Sequence, residues 1–191
     1  MNKFGLVVLV AVLCVFVGCP KDETQLPEES LTPAETVLVA VGDTAPGFEL
    51  VTLEGEIFNL EAQRGKVVLI NFFATWCPPC REELPFLENE IWRRFDPDLF
   101  ALIVVGREED DEVIGPFVES NGYSLPFAGD PDRVAYDQYA SRFIPRNFVI
   151  GPDGMVFFQS QGFEREDFDR MIAVIEDAVA ALDEPAEADA A

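Results

Sequence analysis

Apolar and polar residues repeat with two different periods between residues 48 and 181. Short, continuous apolar runs and alternating segments predict β-strands. They lie at 66–73 and 99–105 and within two hairpins, at 48–60 and 148–159. Glycine at both predicted turns, joined by proline and aspartate at the second, supports the two hairpins. The N-terminal half of this region therefore reads as hairpin, strand, helix and strand.

Helical spacing of apolar residues predicts four helices. Their bounds are about 78–95, 110–120, 132–140 and 165–181. The residues expected to face inward are Leu84, Leu87, Ile91, Phe95, Val113, Ile114, Phe117, Val118, Phe168, Met171, Ile172, Ile175 and Val179. Strands that alternate with helices and end in a hairpin and a helix predict an α/β sheet with helices on both faces.

The first 18 residues have the plan of a secretory signal peptide. Lys3 is followed by an apolar run and by Gly18, and the run is shorter than the about 20 residues of a transmembrane helix. The segment Phe16-Val17-Gly18-Cys19 is similar to a bacterial lipobox, with Phe16 where leucine is more common. Cys19 is therefore the predicted site of lipid attachment. An ordinary signal peptide and an uncleaved short anchor remain open.

Composition divides the rest of the chain into three parts. Residues 19–36 are rich in proline, glutamate and threonine, which predicts a flexible tether. Residues 37–181 hold nearly all the apolar periodicity and are expected to form one domain. Residues 182–191 are acidic and low in complexity, which predicts a disordered tail.

The chain is strongly acidic, with 13 Lys and Arg against 36 Asp and Glu and a formal charge of -23. Loss of Lys3 with the signal peptide would change that charge to -24. Such a surface repels phosphate backbones, so a nucleic-acid partner is not expected. Either a basic partner or simple solubility accounts for the excess of acids.

Cys77 and Cys80 are separated by two prolines where the strand 66–73 runs into a helix. Cys77 is thus placed at a helix N-terminus, where unpaired N–H groups and the helix dipole stabilise a thiolate. The pair predicts a redox dithiol. Half of a zinc site and two buried cysteines are the alternatives, and zinc would need two more ligands in a chain without histidine. If Cys14 leaves with the signal peptide and Cys19 carries lipid, no structural disulfide is available.

The chain resembles thioredoxin-fold thiol–disulfide oxidoreductases of the TlpA/ResA type over about residues 41–180. The motifs that carry the resemblance lie at 41–48, 65–85, 144–145, 148–150 and 153–154, and the second contains Trp-Cys-Pro-Pro-Cys. The first motif is also shared with peroxiredoxins. The resemblance implies a thioredoxin-like fold, with a central mixed β-sheet, helices on both faces and an N-terminal β-hairpin extension.

The resemblance also implies roles for individual residues. Cys77, exposed at the helix start, would attack the substrate disulfide, and Cys80 would resolve the mixed disulfide from within. Pro145 matches the cis-proline that lies beside the dithiol in this family. Trp76, Ile144 and Pro145 are the expected substrate-binding residues. Neither a cofactor nor a metal ion is implied.

A proton-transfer residue is implied as well. Asn71 stands in the slot where thioredoxins carry a buried aspartate, and an amide cannot exchange protons. TlpA/ResA-type proteins instead use a glutamate three residues after the second cysteine, which is Glu83 here. Arg146 and Asn147 depart from the Thr-Thr common after the cis-proline. Arg146 then either favours an acidic partner or the Cys77 thiolate, or is a plain surface arginine.

Pro85 matches the helix-kinking proline of thioredoxins. Together these features imply an exported, lipid-anchored, monomeric reductant of disulfides in extracytoplasmic proteins, for example during cytochrome c maturation. Its expected partners are disulfide-bearing exported proteins and a membrane electron donor of the DsbD/CcdA type, with the protein held on the periplasmic side of a membrane. A peroxiredoxin-like peroxidase and a non-enzymatic Cu(I) chaperone are the alternatives.

Overall fold

The computed structural model describes residues 33–183. The predicted signal peptide, Cys19, most of the tether and residues 184–191 lie outside this range. The strands are β1 Glu49–Val51, β2 Ile57–Asn59, β3 Val67–Phe73, β4 Phe100–Arg107, β5 Phe127–Asp130, β6 Arg146–Ile150 and β7 Val156–Gln161. The α-helices are α1 Pro78–Phe86, α2 Asp111–Asn121, α3 Tyr136–Tyr139 and α4 Arg165–Asp183, with 3₁₀ turns at Pro33–Thr36 and Glu61–Gln63 and a π-helical turn at Leu87–Ile91.

Five strands form one mixed sheet in the order β5-β4-β3-β6-β7. β3 pairs in parallel with β4 and antiparallel with β6, so β3 lies at the centre. β4 and β5 are parallel, and β6 and β7 form the C-terminal hairpin. The predicted α/β architecture with a mixed central sheet is confirmed.

Every residue of β3 is buried because both faces of the sheet are covered. Leu69 and Phe73 point to the face covered by α1, α2 and α4, whereas Ile70 and Phe72 point to the face covered by α3 and the β1–β2 hairpin. A strand that is covered on both faces carries apolar residues at consecutive positions instead of alternating with polar ones, and β3 has this pattern. The helices on both faces agree with the prediction.

The N-terminal hairpin is present as a separate two-stranded sheet. It lies beside β5, where Thr52 forms an isolated bridge with Ala128 and the Leu53 N–H donates to the Phe127 carbonyl at 2.8 Å. The hairpin therefore covers an edge of the main sheet that would otherwise be open to another strand.

The first helix is shorter than predicted. α1 ends at Phe86 and continues as the π-helical turn, in which the Trp92 N–H donates to the Leu87 carbonyl at 2.8 Å. Pro85 lies inside α1 and cannot donate a backbone hydrogen bond, so the regular i to i−4 pattern is interrupted there. The chain leaves the helix at Trp92, three residues before the predicted end.

Other boundaries also differ. β5 was not predicted, because Phe-Ala-Gly-Asp is short and lacks β-branched residues. Val113 is 47% exposed rather than inward-facing. At the ends, Thr36 is buried and belongs to the folded part, while α4 runs to Asp183, two residues into the predicted tail. Among residues 33–183, no helix is both long and apolar enough to cross a membrane.

Candidate active site

The dithiol lies where β3 ends and α1 begins. Cys77 is the N-cap residue of α1, and the two prolines occupy the first helical positions, where their missing N–H groups cost nothing. Cys77 and Cys80 form a disulfide in this structure. The Cys80 N–H points at Cys77 Sγ, 3.3 Å away. In the reduced protein, the same N–H group and the helix dipole would stabilise a Cys77 thiolate.

Both cysteines are buried in the oxidised state, with Cys80 0% and Cys77 3% exposed. The prediction that Cys80 faces inward is confirmed, whereas the prediction that Cys77 is exposed is wrong. Cys77 Sγ is covered because it lies 3.7 Å from the Ile144 carbonyl oxygen. A substrate must therefore reach the sulfur through the groove that opens beside it.

This groove has a volume of about 400 Å³ and is lined by residues 76–79, Arg107 and residues 142–144. We call it the dithiol groove. Trp76 stands at the groove and is 62% exposed, and Phe143 is 43% exposed. Two of the three predicted substrate-binding residues, Trp76 and Ile144, thus lie beside Cys77.

Pro145 occupies a different position from these two residues. The Ile144–Pro145 bond is cis, as the resemblance implied. Pro145 itself is buried and is not part of the groove wall.

Glu83 is buried on α1 and is held by two amides. The Asn71 Nδ2 group donates to Glu83 Oε2 at 2.9 Å, and the Asn147 Nδ2 group donates to Glu83 Oε1 at 2.6 Å. Asn71 also donates to Asn147 Oδ1 at 2.8 Å, which closes the triangle. We call these three residues the Glu83 cluster. Glu82, the residue before Glu83, is exposed.

Burial of the Glu83 carboxyl, which is 2% exposed, has a large electrostatic consequence. Loss of hydration raises its pKa from the ordinary 4.5 to about 7, although the hydrogen bonds from Asn147 and Asn71 act in the opposite direction. A carboxyl with a pKa near 7 can both accept and release a proton at neutral pH. Glu83 thus has the property that proton exchange with the dithiol requires.

Arg146 is neither a surface arginine nor a contact of Cys77, which corrects both readings of the sequence. Its side chain is fully buried. Nε and Nη2 both donate to the Arg142 carbonyl, at 3.0 and 2.9 Å, and Nη2 also donates to Thr36 Oγ1 and Gln161 Oε1. The guanidinium therefore holds the loop before Pro145 in place.

Sequence reasoning missed four residues of the site. Arg107, Arg142 and Phe143 line the dithiol groove, and Asn147 binds Glu83. Arg107 could have been found, because it ends the parallel strand next to β3, and the carboxyl ends of parallel neighbours meet at one edge of a sheet. Within residues 33–183 there is no group of three or more His, Cys, Asp or Glu residues placed to hold a metal ion.

Residues 41–159 match the protein family described as AhpC/TSA. The chain belongs to this family. Within it, the chain is 32% identical over 129 residues to thiol-disulfide oxidoreductase ResA of Bacillus thuringiensis strain Al Hakam, which covers 68% of this chain and 74% of the relative. It is 34% identical over 122 residues to the ResA of Geobacillus thermodenitrificans strain NG80-2, covering 64% of this chain and 70% of that protein.

Two solved structures of thiol–disulfide proteins are similar to this chain. A solution structure from Bacteroides thetaiotaomicron, assigned as a protein disulfide isomerase, has a TM-score of 0.73 and 32% identity over 76% of this chain and 93% of its own. A thiol:disulfide interchange protein of the DsbE type from Chlorobium tepidum has a TM-score of 0.67 and 27% identity over 74% of this chain and 99% of its own. The fold is thioredoxin-like and the protein is a thiol–disulfide oxidoreductase.

Proposed function

We propose that this protein is an exported, membrane-tethered reductant that uses Cys77 and Cys80 to reduce disulfides in extracytoplasmic proteins. Apocytochrome c during cytochrome c maturation is an example of such a substrate. The observation that carries the proposal is the combination of a cysteine at a helix N-cap with a buried carboxyl six residues further along the same helix. The first group supplies a thiolate, and the second can exchange the protons of the reaction.

Reduction begins with the Cys77 thiolate. It attacks one sulfur of the substrate disulfide, so the Cys77–substrate S–S bond forms while the substrate S–S bond breaks. The other substrate sulfur leaves as a thiolate and takes up a proton. The N–H of Cys80, 3.3 Å from Cys77 Sγ, stabilises the attacking form before this step.

Cys80 completes the reaction. It loses its proton to the Glu83 carboxylate and attacks Cys77 Sγ, which breaks the mixed disulfide and releases the second substrate thiol. The two thiols of the protein become the Cys77–Cys80 disulfide, and two electrons pass to the substrate. A pKa of about 7 lets Glu83 accept this proton and release it afterwards.

The cycle needs a reductant that restores the dithiol. A membrane dithiol donor of the DsbD/CcdA type would supply the two electrons by the same exchange chemistry. The lipid anchor proposed on Cys19 would keep the protein on the periplasmic side of the membrane, near that donor. Cys19→Ala is expected to release the protein from the membrane fraction, whereas retention after an alkaline wash would show an uncleaved helix instead.

Trapping of mixed disulfides tests the central claim. Cys80→Ser removes the resolving thiol, so the variant should hold its substrates covalently on Cys77, and mass spectrometry would identify them. The matched control, Cys77→Ser, retains Cys80 and should give no adducts. Equal adducts on Cys77→Ser would show that the nucleophile has been assigned wrongly.

The direction of electron flow needs its own measurement. In cells quenched with acid and labelled with a thiol reagent, a reductant is expected to carry Cys77 and Cys80 mainly as thiols. A mainly oxidised pair would indicate an oxidant, since dithiols of this fold span about -270 to -120 mV. The alternatives from the sequence are tested alongside: stoichiometric copper in protein from the native host, or turnover of peroxide, would overturn the proposal.

A further inference from the structure

The dithiol groove carries a charge opposite to that of the protein as a whole. The chain has 36 acidic and 13 basic residues. Two arginines, Arg107 and Arg142, line the groove beside Cys77, and none of the acidic residues within 33–183 does so. The two arginines give the groove a positive local potential, which the negative net charge of the protein does not reveal.

The positive charge is only partly neutralised. Glu108 forms ion pairs with both Arg107, at 3.1 Å, and Arg133, at 2.9 Å, so one carboxylate is shared by two guanidinium groups. Arg133 is also paired with Asp137 at 2.6 Å. Among residues 33–183, no ion pair involves Arg142, which is exposed. The Arg107 side chain is only 15% exposed, and its Nε is buried without a hydrogen-bond partner. Arg142 thus offers donors to an incoming anion, and Arg107 adds positive charge at the groove wall.

The groove is also held in a fixed shape. The guanidinium of Arg146 binds the Arg142 carbonyl, and the Tyr136 hydroxyl donates to the Phe143 carbonyl at 2.6 Å. Phe143 has φ of +69°, a left-handed conformation that is uncommon for a bulky residue and persists only where the surroundings impose it. These bonds fix the backbone of Arg142 and Phe143, so binding does not have to order this loop.

We propose that the dithiol groove selects extended, disulfide-bearing segments that carry a carboxylate within one or two residues of the attacked cysteine. The carboxylate binds between Arg107 and Arg142, and a neighbouring apolar side chain packs on Trp76 and Phe143, which are the exposed aromatic rings of the groove. This proposal rests on the proposed function and adds the substrate class to it. It contradicts one of the two interpretations of the net charge, a basic partner, and is compatible with the other, solubility.

Three disulfide-bearing peptides of equal length test the preference. They differ only in the two residues next to one cysteine, which are glutamates, glutamines or lysines. With the reduced protein at low salt, we expect the acidic peptide to be reduced about threefold to fivefold faster than the neutral one, and the basic peptide more slowly than both. Higher salt should compress this range. Equal rates or a faster basic peptide would overturn the proposal.

Two alkylating reagents separate groove charge from thiol reactivity. Iodoacetate is anionic and iodoacetamide is neutral, and both react with the thiolate form of Cys77. The rate of iodoacetate divided by that of iodoacetamide therefore depends on the local electrostatic potential and not on the fraction of Cys77 that is ionised. Mass spectrometry of the Cys77 peptide would measure both rates. Arg142→Gln should lower the ratio and remove the peptide preference, whereas Arg142→Lys should retain both. Arg170→Gln, an exposed residue of α4 that does not line the groove, should change neither.

The outcomes distinguish the two proposals. If all three peptides are reduced at one rate, or if Arg142→Gln leaves the alkylation ratio unchanged, the acidic preference is wrong and the reductase function stands. If no peptide is reduced, the function itself is wrong. Should Arg142→Gln fail to fold, the salt dependence of the wild-type peptide preference still decides, because only a charge-based preference weakens with ionic strength.

Discussion

Two buried ionisable side chains lie on opposite faces of the sheet, and they behave in opposite ways. Asn147 of β6 points to the face of α1 and binds the Glu83 carboxyl, whereas its neighbour Arg146 points to the other face and binds the Arg142 carbonyl. Adjacent strand residues point to opposite faces, so one dipeptide serves both clusters. Neither buried charge has an ion-pair partner among residues 33–183.

The difference between the two groups comes from their ordinary pKa values. Burial disfavours the charged form of each, so it raises the pKa of Glu83 to about 7 and lowers the pKa of Arg146. The carboxyl is thereby brought to neutral pH, where it exchanges protons. The guanidinium starts so high that it remains charged. The cost of burying a charge thus makes Glu83 a residue that exchanges protons near neutral pH. Arg146 stays charged and holds the loop before Pro145 by hydrogen bonds.

The largest effect is expected on catalysis. Glu83→Gln removes the ionisable group, and general-base assistance is typically worth about 10²–10⁴-fold. We expect insulin reduction to slow by at least about 10²-fold at pH 7 and to lose the inflection near pH 7. The matched control is Glu82→Gln, an exposed neighbour on the same helix, which should behave like the wild type. An unchanged pH profile in Glu83→Gln would remove Glu83 from the mechanism.

Stability should depend on pH through the same carboxyl. The folded pKa of about 7 lies above the ordinary 4.5, so between these values the folded protein retains a proton that the unfolded chain has lost. Raising the pH then favours unfolding. Relative to Glu83→Gln, wild-type protein should lose ~3 kcal/mol of unfolding free energy between pH 4 and pH 8.

Denaturant titrations at several pH values would measure this difference. The other carboxyls titrate in both proteins, so their contribution cancels in the difference between the two unfolding free energies. The changed hydrogen bonding of glutamine shifts this difference by the same amount at every pH. A difference that does not vary with pH would show that Glu83 has an ordinary pKa, which would remove the contrast with Arg146.

Arg146→Met tests the other side of the comparison. The change removes the hydrogen bonds that the guanidinium donates to the Arg142 carbonyl, Thr36 Oγ1 and Gln161 Oε1. Each lost hydrogen bond costs about 0.5–1.5 kcal/mol, partly offset because a buried charge is removed, so we expect a loss of about 2–3 kcal/mol. The loss of unfolding free energy in Arg146→Met should be the same from pH 5 to pH 9, whereas the effect of Glu83→Gln should vary with pH.

Arg146→Lys serves as its control. Lysine retains the charge but lacks the planar fork that places two donors on one carbonyl, so an intermediate loss is expected. A loss below about 0.5 kcal/mol for Arg146→Met would mean that the guanidinium does not hold the loop.

The same contrast shows what the sequence could and could not predict. Glu83 was found because its spacing from Cys80 matches the glutamate of TlpA/ResA-type proteins. Arg146 was misread because its partners lie far along the chain, at Thr36 and Gln161. A charged residue near a strand start looks like surface in a sequence, and only the fold shows what fills the space around it.

Strands and helices, like side chains, were predicted well only where the sequence carries a strong local signal. β3 was predicted almost to the residue, because seven buried positions in a row leave a strong local signal. β5 was missed, since four residues without β-branching become a strand only by pairing with β4. The helix end at Phe86 was also missed, because buried apolar residues continue at helical spacing beyond Pro85, at Leu87 and Ile91 of the π-helical turn. Local patterns predict long elements, and tertiary pairing decides short ones.

The smallest effect is expected for Asn147→Ala, which alters the Glu83 cluster without removing its carboxyl. Asn147 donates to Glu83 Oε1 at 2.6 Å, and this bond favours the ionised form. Its loss should raise the pKa of Glu83 further above 7, because the ionised carboxyl would lose a hydrogen bond that stabilises it. Alkylation rates of Cys77 and Cys80 across pH 5 to 9 would report the shift, since a nearby titrating charge couples to both thiols.

Asn89→Ala, on the exposed side of the π-helical turn, is the control. A purely structural role for Asn147 would lower stability and leave the titration curve in place, whereas a shift toward higher pH would show that this amide sets the protonation of Glu83.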